Sequence, residues 1–301
     1  ALGIGAIIGA GLFVRTAAAA AQNAGPSVTI GFIIAAIGCA LAGLCYAELS
    51  SSIPIAGSAY TYSYATMGEL VAWMIGWDLV IEYAVGAATV GIAWAEYLNN
   101  LLTNVLHLPP IPYEWCHSPF EMSVSGVHGI INLPALFIVS LLSLLLIRGT
   151  HESAIVNNLI VVAKVTIVIL IIATGWHFIN PANHAVYIPE PSVYVDHQGI
   201  SHSYGGIMGI LGAAGVVFFA FIGFDAVSTA AQEAKNPERD MPIGILGSLV
   251  ICTVLYILFA HVLTGVASVE DFRTTGKEAS VAFAIQKYMP GYEWLAKMVT
   301  I

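Results

Sequence analysis

The chain has 301 residues, of which 58% are hydrophobic and 9% charged, with a mean hydropathy of +0.85. Soluble domains carry roughly 25% charged residues, so a water-soluble globule is excluded. The formal net charge of −9 likewise excludes the basic face that a nucleic-acid partner requires.

Apolar runs closed by Gly, Pro and polar clusters predict seven membrane spans and the start of an eighth. They cover residues 1–22, 27–47, 69–103, 129–147, 154–178, 205–232, 243–267 and 292 onward. Lipid admits only helices or closed barrels, and barrel-type alternation is absent, so the chain reads as all-α. With no initiator Met and an apolar run at each end, the sequence reads as a fragment. Cys39, Cys45 and Cys252 sit in apolar runs and Cys116 in a polar loop, so no disulfide framework is expected.

The first span opens Gly3-Ile4-Gly5-Ala6-Ile7-Ile8-Gly9-Ala10-Gly11-Leu12-Phe13. Each glycine costs a helix about 1 kcal/mol against Ala. Gly5 and Gly9, four apart, suit close helix packing. Gly9 and Gly11 point to different faces, which suits an unwound segment whose N–H groups receive a carboxylate. Both readings stand on the residues alone. The third span exceeds a ~30 Å hydrocarbon core and should tilt or protrude; it carries Asp78 and, deeper, Glu82. Lys164 lies mid-span in the fifth. A charge at that depth costs at least ~2.5–3.5 kcal/mol, so Glu82 and Lys164 should face an interior or an aqueous cavity, with a mutual ion pair as the structural alternative.

The sixth span, Gly212 to Asp225, holds Phe218-Phe219-Ala220-Phe221-Ile222-Gly223. Unwinding there would free carbonyls for an ammonium group, whereas an ordinary aromatic helix face is the plainer reading. Asp225 is expected to cap the helical half that follows. Lys235 and Arg239, with Arg148, favour a cytoplasmic side, although Arg273, Lys277 and Lys287 fall on the other. Residues 20–26 and 230–237 echo one another after Gly-punctuated segments, as inverted repeats do. The histidines lack helical i,i+4 pairs, and no nucleophile triad, phosphate loop or metal motif is present, so no enzyme, cofactor or metal is expected.

The first-span motif, Gly76-Trp77-Asp78-Leu79 with Glu82-Tyr83, and residues 218–229 running into Glu233-Ala234-Lys235-Asn236-Pro237-Glu238-Arg239-Asp240-Met241-Pro242 resemble the amino acid–polyamine–organocation superfamily. Within it they resemble the bacterial form of the cationic amino acid transporter branch. The resemblance runs the whole length. It implies a LeuT-type five-plus-five inverted-repeat bundle in a single transmembrane domain (1–301). Helices one to five would occupy roughly 1–180 and the second repeat would begin over roughly 205–301, the chain stopping as helix eight begins. It implies a substrate carboxylate at Ile8, Gly9, Ala10 and Gly11, an ammonium at carbonyls of Phe219, Ala220 and Ile222, and Phe221 as outer gate. Lys164 would stand in a coupling-ion position against helix-one carbonyls, and Glu82 beside the substrate side chain; Arg15 is a less usual residue past the break. The expected function is secondary active transport of an L-amino acid, with a proton as coupling ion, in a cell membrane. Its rivals are an exchanger of cationic amino acids or polyamines, and a scaffold or sensor without a transport cycle.

Overall fold

The structure, a computed structural model, describes residues 2–9, 11–123, 126–147, 153–195, 199–274 and 280–300; Ala10, Arg148 and Lys277 lie outside them. Its helices in chain order are α1 (Leu2–Ile7), α2 (Thr16–Ala19), α3 (Val28–Ser52), α4 (Ser58–Met67), α5 (Glu69–Asn100), α6 (Leu133–Ile147), α7 (Ser153–Gly175), α8 (Gly206–Phe218), α9 (Pro237–Val266), α10 (Val269–Thr274), α11 (Ser280–Tyr288) and α12 (Glu293–Thr300). Five described runs are long and apolar enough to cross a membrane: Gly11–Ser52, Glu69–Asn104, Asn158–Phe178, Gly206–Gln232 and Pro237–Val266. Leu133–Leu145 is a shorter apolar helix. The chain is thus an all-α, multi-pass membrane protein.

The elements follow from local sequence. Two π-turns, Gly11–Arg15 and Ala20–Ala24, flank α2. The helical run then breaks at Gly25, whose φ of +58° favours a residue without Cβ, and Pro26 opens the next turn. The first two spans expected from sequence therefore merge into one helical run with a break inside it. At 1.5 Å per residue α5 is about 48 Å long, more than the ~30 Å core, in keeping with its length in sequence. Only an eight-residue helix, α12, stands where the eighth span was expected to start.

The core centres on α9, which packs against α1, α3 and α7, with α8 against the other flank of α3. Phe32, Phe221, Ile245, Tyr256 and Phe259 are completely buried there. Conversely, Leu70, Trp73, Val80, Ile81, Phe137, Leu159 and Val162 on α5, α6 and α7 are exposed. Such a continuous apolar surface is stable in hydrocarbon and costly in water.

A cap that hydropathy did not reveal covers one end. Strands β1 (Ser192–Val195) and β2 (Ser201–Tyr204) form an antiparallel hairpin with Ser192 opposite Tyr204. Arg273 of α10 inserts between the hairpin rings of Tyr194 and Tyr204, 4.3 and 4.4 Å from their centroids. Its Nε donates to the carbonyl of Ala21 at 2.9 Å. Lys287 of α11 donates to Asp271 at 2.6 Å. Arg273 and Lys287, which the charge reading sets against Lys235 and Arg239, are each held by local structure.

Burial pushes the Asp271 carboxyl up, but hydrogen bonds from Lys287, Ser268 and Tyr288 outweigh it and hold the group at about 2. A depressed carboxyl contributes stability above its ordinary value of 3.8, and that contribution is lost as pH falls through about 2. Asp271→Asn should therefore loosen the α10–α11 junction at neutral pH, seen as faster proteolysis between the two helices. Its difference from the unsubstituted protein should shrink below pH 4. Equal cleavage rates at pH 7 would refute the role.

Candidate functional site

Two interrupted helices meet beside α9. In the first, α1 ends at Ile7, the Ile8 N–H still reaches Ile4 at 3.0 Å, and regular bonding then stops. Helix resumes as the π-turn from Gly11, with Leu12 N–H on the Gly9 carbonyl at 3.1 Å. In the second, α8 gives way to a 3₁₀ turn, Phe219–Phe221, then to Ile222 in an extended-type conformation (φ −53°, ψ 134°). A looser 3₁₀ segment, Asp225–Glu233, follows. Gly11 lies directly on Ala220: a Cβ at position 11 would run into the Ala220 backbone. The glycine that looked misplaced for helix packing lets the two breaks touch.

Two side chains tie the breaks together. Lys164 of α7 donates to the carbonyls of Gly5 and Ile8 at 2.5 and 2.7 Å, so its ammonium is satisfied by helix-one backbone. Among the described residues it forms no ion pair with Glu82. The Tyr256 hydroxyl of α9 lies 2.8 Å from the Ile7 carbonyl and 2.9 Å from that of Ala220. A hydroxyl has one proton, so it serves one of these carbonyls at a time. Its ring packs on Phe32 and Phe221, at centroid distances of 5.5 and 5.2 Å.

A cavity of about 630 Å³ opens beside the breaks. Ile7, Gly9, Gly11, Phe219 and Ile222 form its side at the broken helices. Glu82, Gly86, Val90 and Trp94 of α5 form one wall, and Ile138 and Val139 of α6 another. The lining is apolar apart from Glu82 and a few hydroxyl and backbone groups. Nearby, the Tyr83 hydroxyl donates to the Asp225 carboxylate at 2.9 Å, and Asp225 is 5% exposed. The sequence reading gave Asp225 to helix capping. The structure gives the position before that turn no side-chain cap and hands the carboxylate to Tyr83 instead. No group of three or more His, Cys, Asp or Glu among the described residues is placed to hold a metal.

Of the residues expected from sequence, Gly9, Gly11, Glu82, Phe219 and Ile222 line the cavity. Ile8 and Ala220 are buried beside it, with carbonyls engaged by Lys164 and Tyr256. Ala10 is outside the described residues. Phe221, which the resemblance gives to the outer gate, is fully buried against Phe32 and Tyr256 and does not line the cavity. The 3₁₀ turn Phe219–Phe221 and the extended Ile222 after it leave 219 and 222, and not 221, in the lining. Phe219 takes the cavity position, with the Arg15 guanidinium 5.8 Å from its ring centroid. Tyr256 was missed, although a tyrosine in an aliphatic span signals a hydroxyl seeking a partner.

The amino acid permease family matches this chain over residues 1–301. The chain is 41% identical over 301 residues to the branched-chain amino acid permease BcaP of Bacillus subtilis (strain 168), covering all of this chain and 59% of that protein. It is 44% identical over 265 residues to the methylthioribose transporter of the same organism, covering 88% of this chain and 53% of that protein. It is 38% identical over 301 residues to the chloroplastic cationic amino acid transporter 9 of Arabidopsis thaliana, covering all of this chain and 49% of that protein. The chain spans about half the length of these curated relatives, from 49% to 59%.

Proposed function

We propose that this chain, which belongs to the amino acid permease family, carries the substrate site of an L-amino acid:proton symporter working by alternating access. The observation that carries the proposal is the pairing of two broken helices at a cavity, with Lys164 on the carbonyls of the first break. The positive end of the helical segment starting at Gly11 suits a carboxylate. Carbonyls of Phe219, Ala220 and Ile222 suit an ammonium, since a carbonyl that already accepts one bond keeps a second lone pair. Phe219 would close the cavity, and Lys164 would carry the coupling proton. A scaffold has no need to leave backbone unpaired at membrane depth, and that argues for transport.

The test is uptake of an amino acid panel by the full-length protein that carries this chain, in proteoliposomes, with and without an inward proton gradient. Accumulation that rises with the gradient is the expected result; equal accumulation without it would refute symport. The second reading, an exchanger of cationic amino acids, draws on Glu82 in the cavity wall and on the name of the Arabidopsis relative.

Glu82→Gln preserves shape while removing charge. On the symport reading it should change the preference between alanine and lysine or arginine by about tenfold or more, mainly by weakening the cations, since a hydrogen bond to a charged group contributes about 1.5–3 kcal/mol. An unchanged preference would remove Glu82 from the site.

A further inference from the structure

We infer that the recess along α5 receives the substrate's side chain and that Gly86 sets the size it accepts, favouring bulky uncharged amino acids. The inference rests on the amino acid reading above and deepens it. Glu82, Gly86, Val90 and Trp94 recur every four residues, so they share one face of α5, and all four line the cavity. A side chain at position 86 would therefore point between those of Glu82 and Val90, into the cavity.

Gly86 lies inside a 32-residue helix, where glycine is the poorest former after proline. Packing among the described residues does not explain it, because a Cβ built at Gly86 meets none of their atoms within 4 Å. Gly91 makes the contrast. A Cβ there would lie 3.0 Å from Val139 and 3.5 Å from Ala135, so its smallness serves the contact between α5 and α6. What the absent side chain at 86 provides is volume in the cavity. The cavity's roughly 630 Å³ falls within the range that holds small-molecule ligands, about 300–1,000 Å³. The lining also includes Ile138 and Val139, which present hydrocarbon only. A charged side chain laid along this wall would lose its hydration, with Glu82 at one end as the compensating charge; an aliphatic, thioether or aromatic one loses nothing.

The experiment is a size series at one position: Gly86→Ala, Gly86→Val and Gly86→Leu in the full-length protein, reconstituted in proteoliposomes. Competition against labelled alanine by leucine, methionine and phenylalanine would be measured for each, with thermal-shift curves to establish the folded fraction. Alanine at 86 improves helix propensity without a clash, so that variant keeps the series interpretable even if leucine at 86 unfolds the protein. The expected result is a graded loss of the large competitors relative to alanine, about tenfold or more by Gly86→Val, since each methylene in a filled pocket changes discrimination by roughly 10–200-fold. A large-to-small ratio that stays constant across the 86 series would overturn the inference, whether uptake falls in parallel for all substrates or does not change. Absence of amino acid uptake by the unsubstituted protein would instead overturn the transport reading.

Discussion

Lys164→Ala should abolish gradient-driven accumulation while leaving substrate binding and substrate-for-substrate exchange largely intact. The ammonium reaches the first break from α7 and holds two carbonyls there, those of Gly5 and Ile8, at 2.5 and 2.7 Å. Charge-assisted bonds of this kind are roughly twice as strong as neutral ones. A protonated Lys164 therefore clamps α1 and the start of the break to α7. The neutral amine keeps weaker donors, and the clamp relaxes. Coupling follows if the proton leaves when the cytoplasmic side opens. The alanine variant has neither clamp nor titrating group, so the substrate moves only down its own gradient. Transport would lose its proton dependence altogether, while equilibrium binding should change by less than about threefold, because Lys164 does not line the cavity. Lys164→Arg separates charge from proton exchange: it keeps the clamp permanently charged and should stall net uptake too. Retained proton-driven accumulation by the alanine variant would refute the coupling role. A static ion pair with Glu82, the alternative that sequence leaves open, predicts matching defects in Lys164→Ala and Glu82→Gln. The structure favours the clamp, since the lysine's bonds go to backbone.

How far the site could be read from sequence depended on the physics involved. Membrane helices were legible because hydrocarbon demands long apolar runs, and the charges at Glu82 and Lys164 stood out for the same reason. The first break was half legible: Gly9 and Gly11 point to different faces, but the glycines of that span also suited close packing, and the residues alone did not decide between the two. Which of Phe218, Phe219 and Phe221 lines the cavity was not legible. In an α-helix 219 and 222 are also near neighbours, but which of three consecutive aromatic-rich positions faces inward depends on the turn type, and the 3₁₀ turn at Phe219–Phe221 has no distinct composition. The hairpin at 192–204 escaped because its strands are four residues each, and their pairing is reinforced by an arginine some seventy residues downstream. The Tyr83–Asp225 bond joins residues 142 apart, and no local pattern encodes such a pairing.

Tyr256→Phe should leave binding nearly unchanged, lower stability, and reduce both exchange and net uptake by about tenfold or more. The hydroxyl is within reach of Ile7 on one broken helix and Ala220 on the other. Before substrate arrives, its single proton serves one of the two buried carbonyls and the other lacks it. When an ammonium engages Ala220, the proton can stay with Ile7, and both are satisfied. In the phenylalanine variant two carbonyls lack a donor in the empty state and one in the bound state. Binding thus relieves one unpaired carbonyl in each protein, so the dissociation constant should differ by less than about threefold. Stability should not be spared, because in both states one more buried acceptor goes unpaired, at about 1–3 kcal/mol. The larger effect falls on the cycle. Tyr256 is completely buried, its ring is fixed by Phe32 and Phe221, and its hydroxyl links the two breaks through one atom. Without that link, each broken helix can shift while the other stays, and the coordinated change that alternating access needs is lost. The measurement is counterflow, in which external label exchanges against internal substrate without a gradient. Lys164→Ala should retain counterflow, whereas Tyr256→Phe should lose it. If Tyr256→Phe exchanged substrate at the normal rate while losing stability, the hydroxyl would be a structural bond only, and the two helices would move together through packing at Gly11 and Ala220.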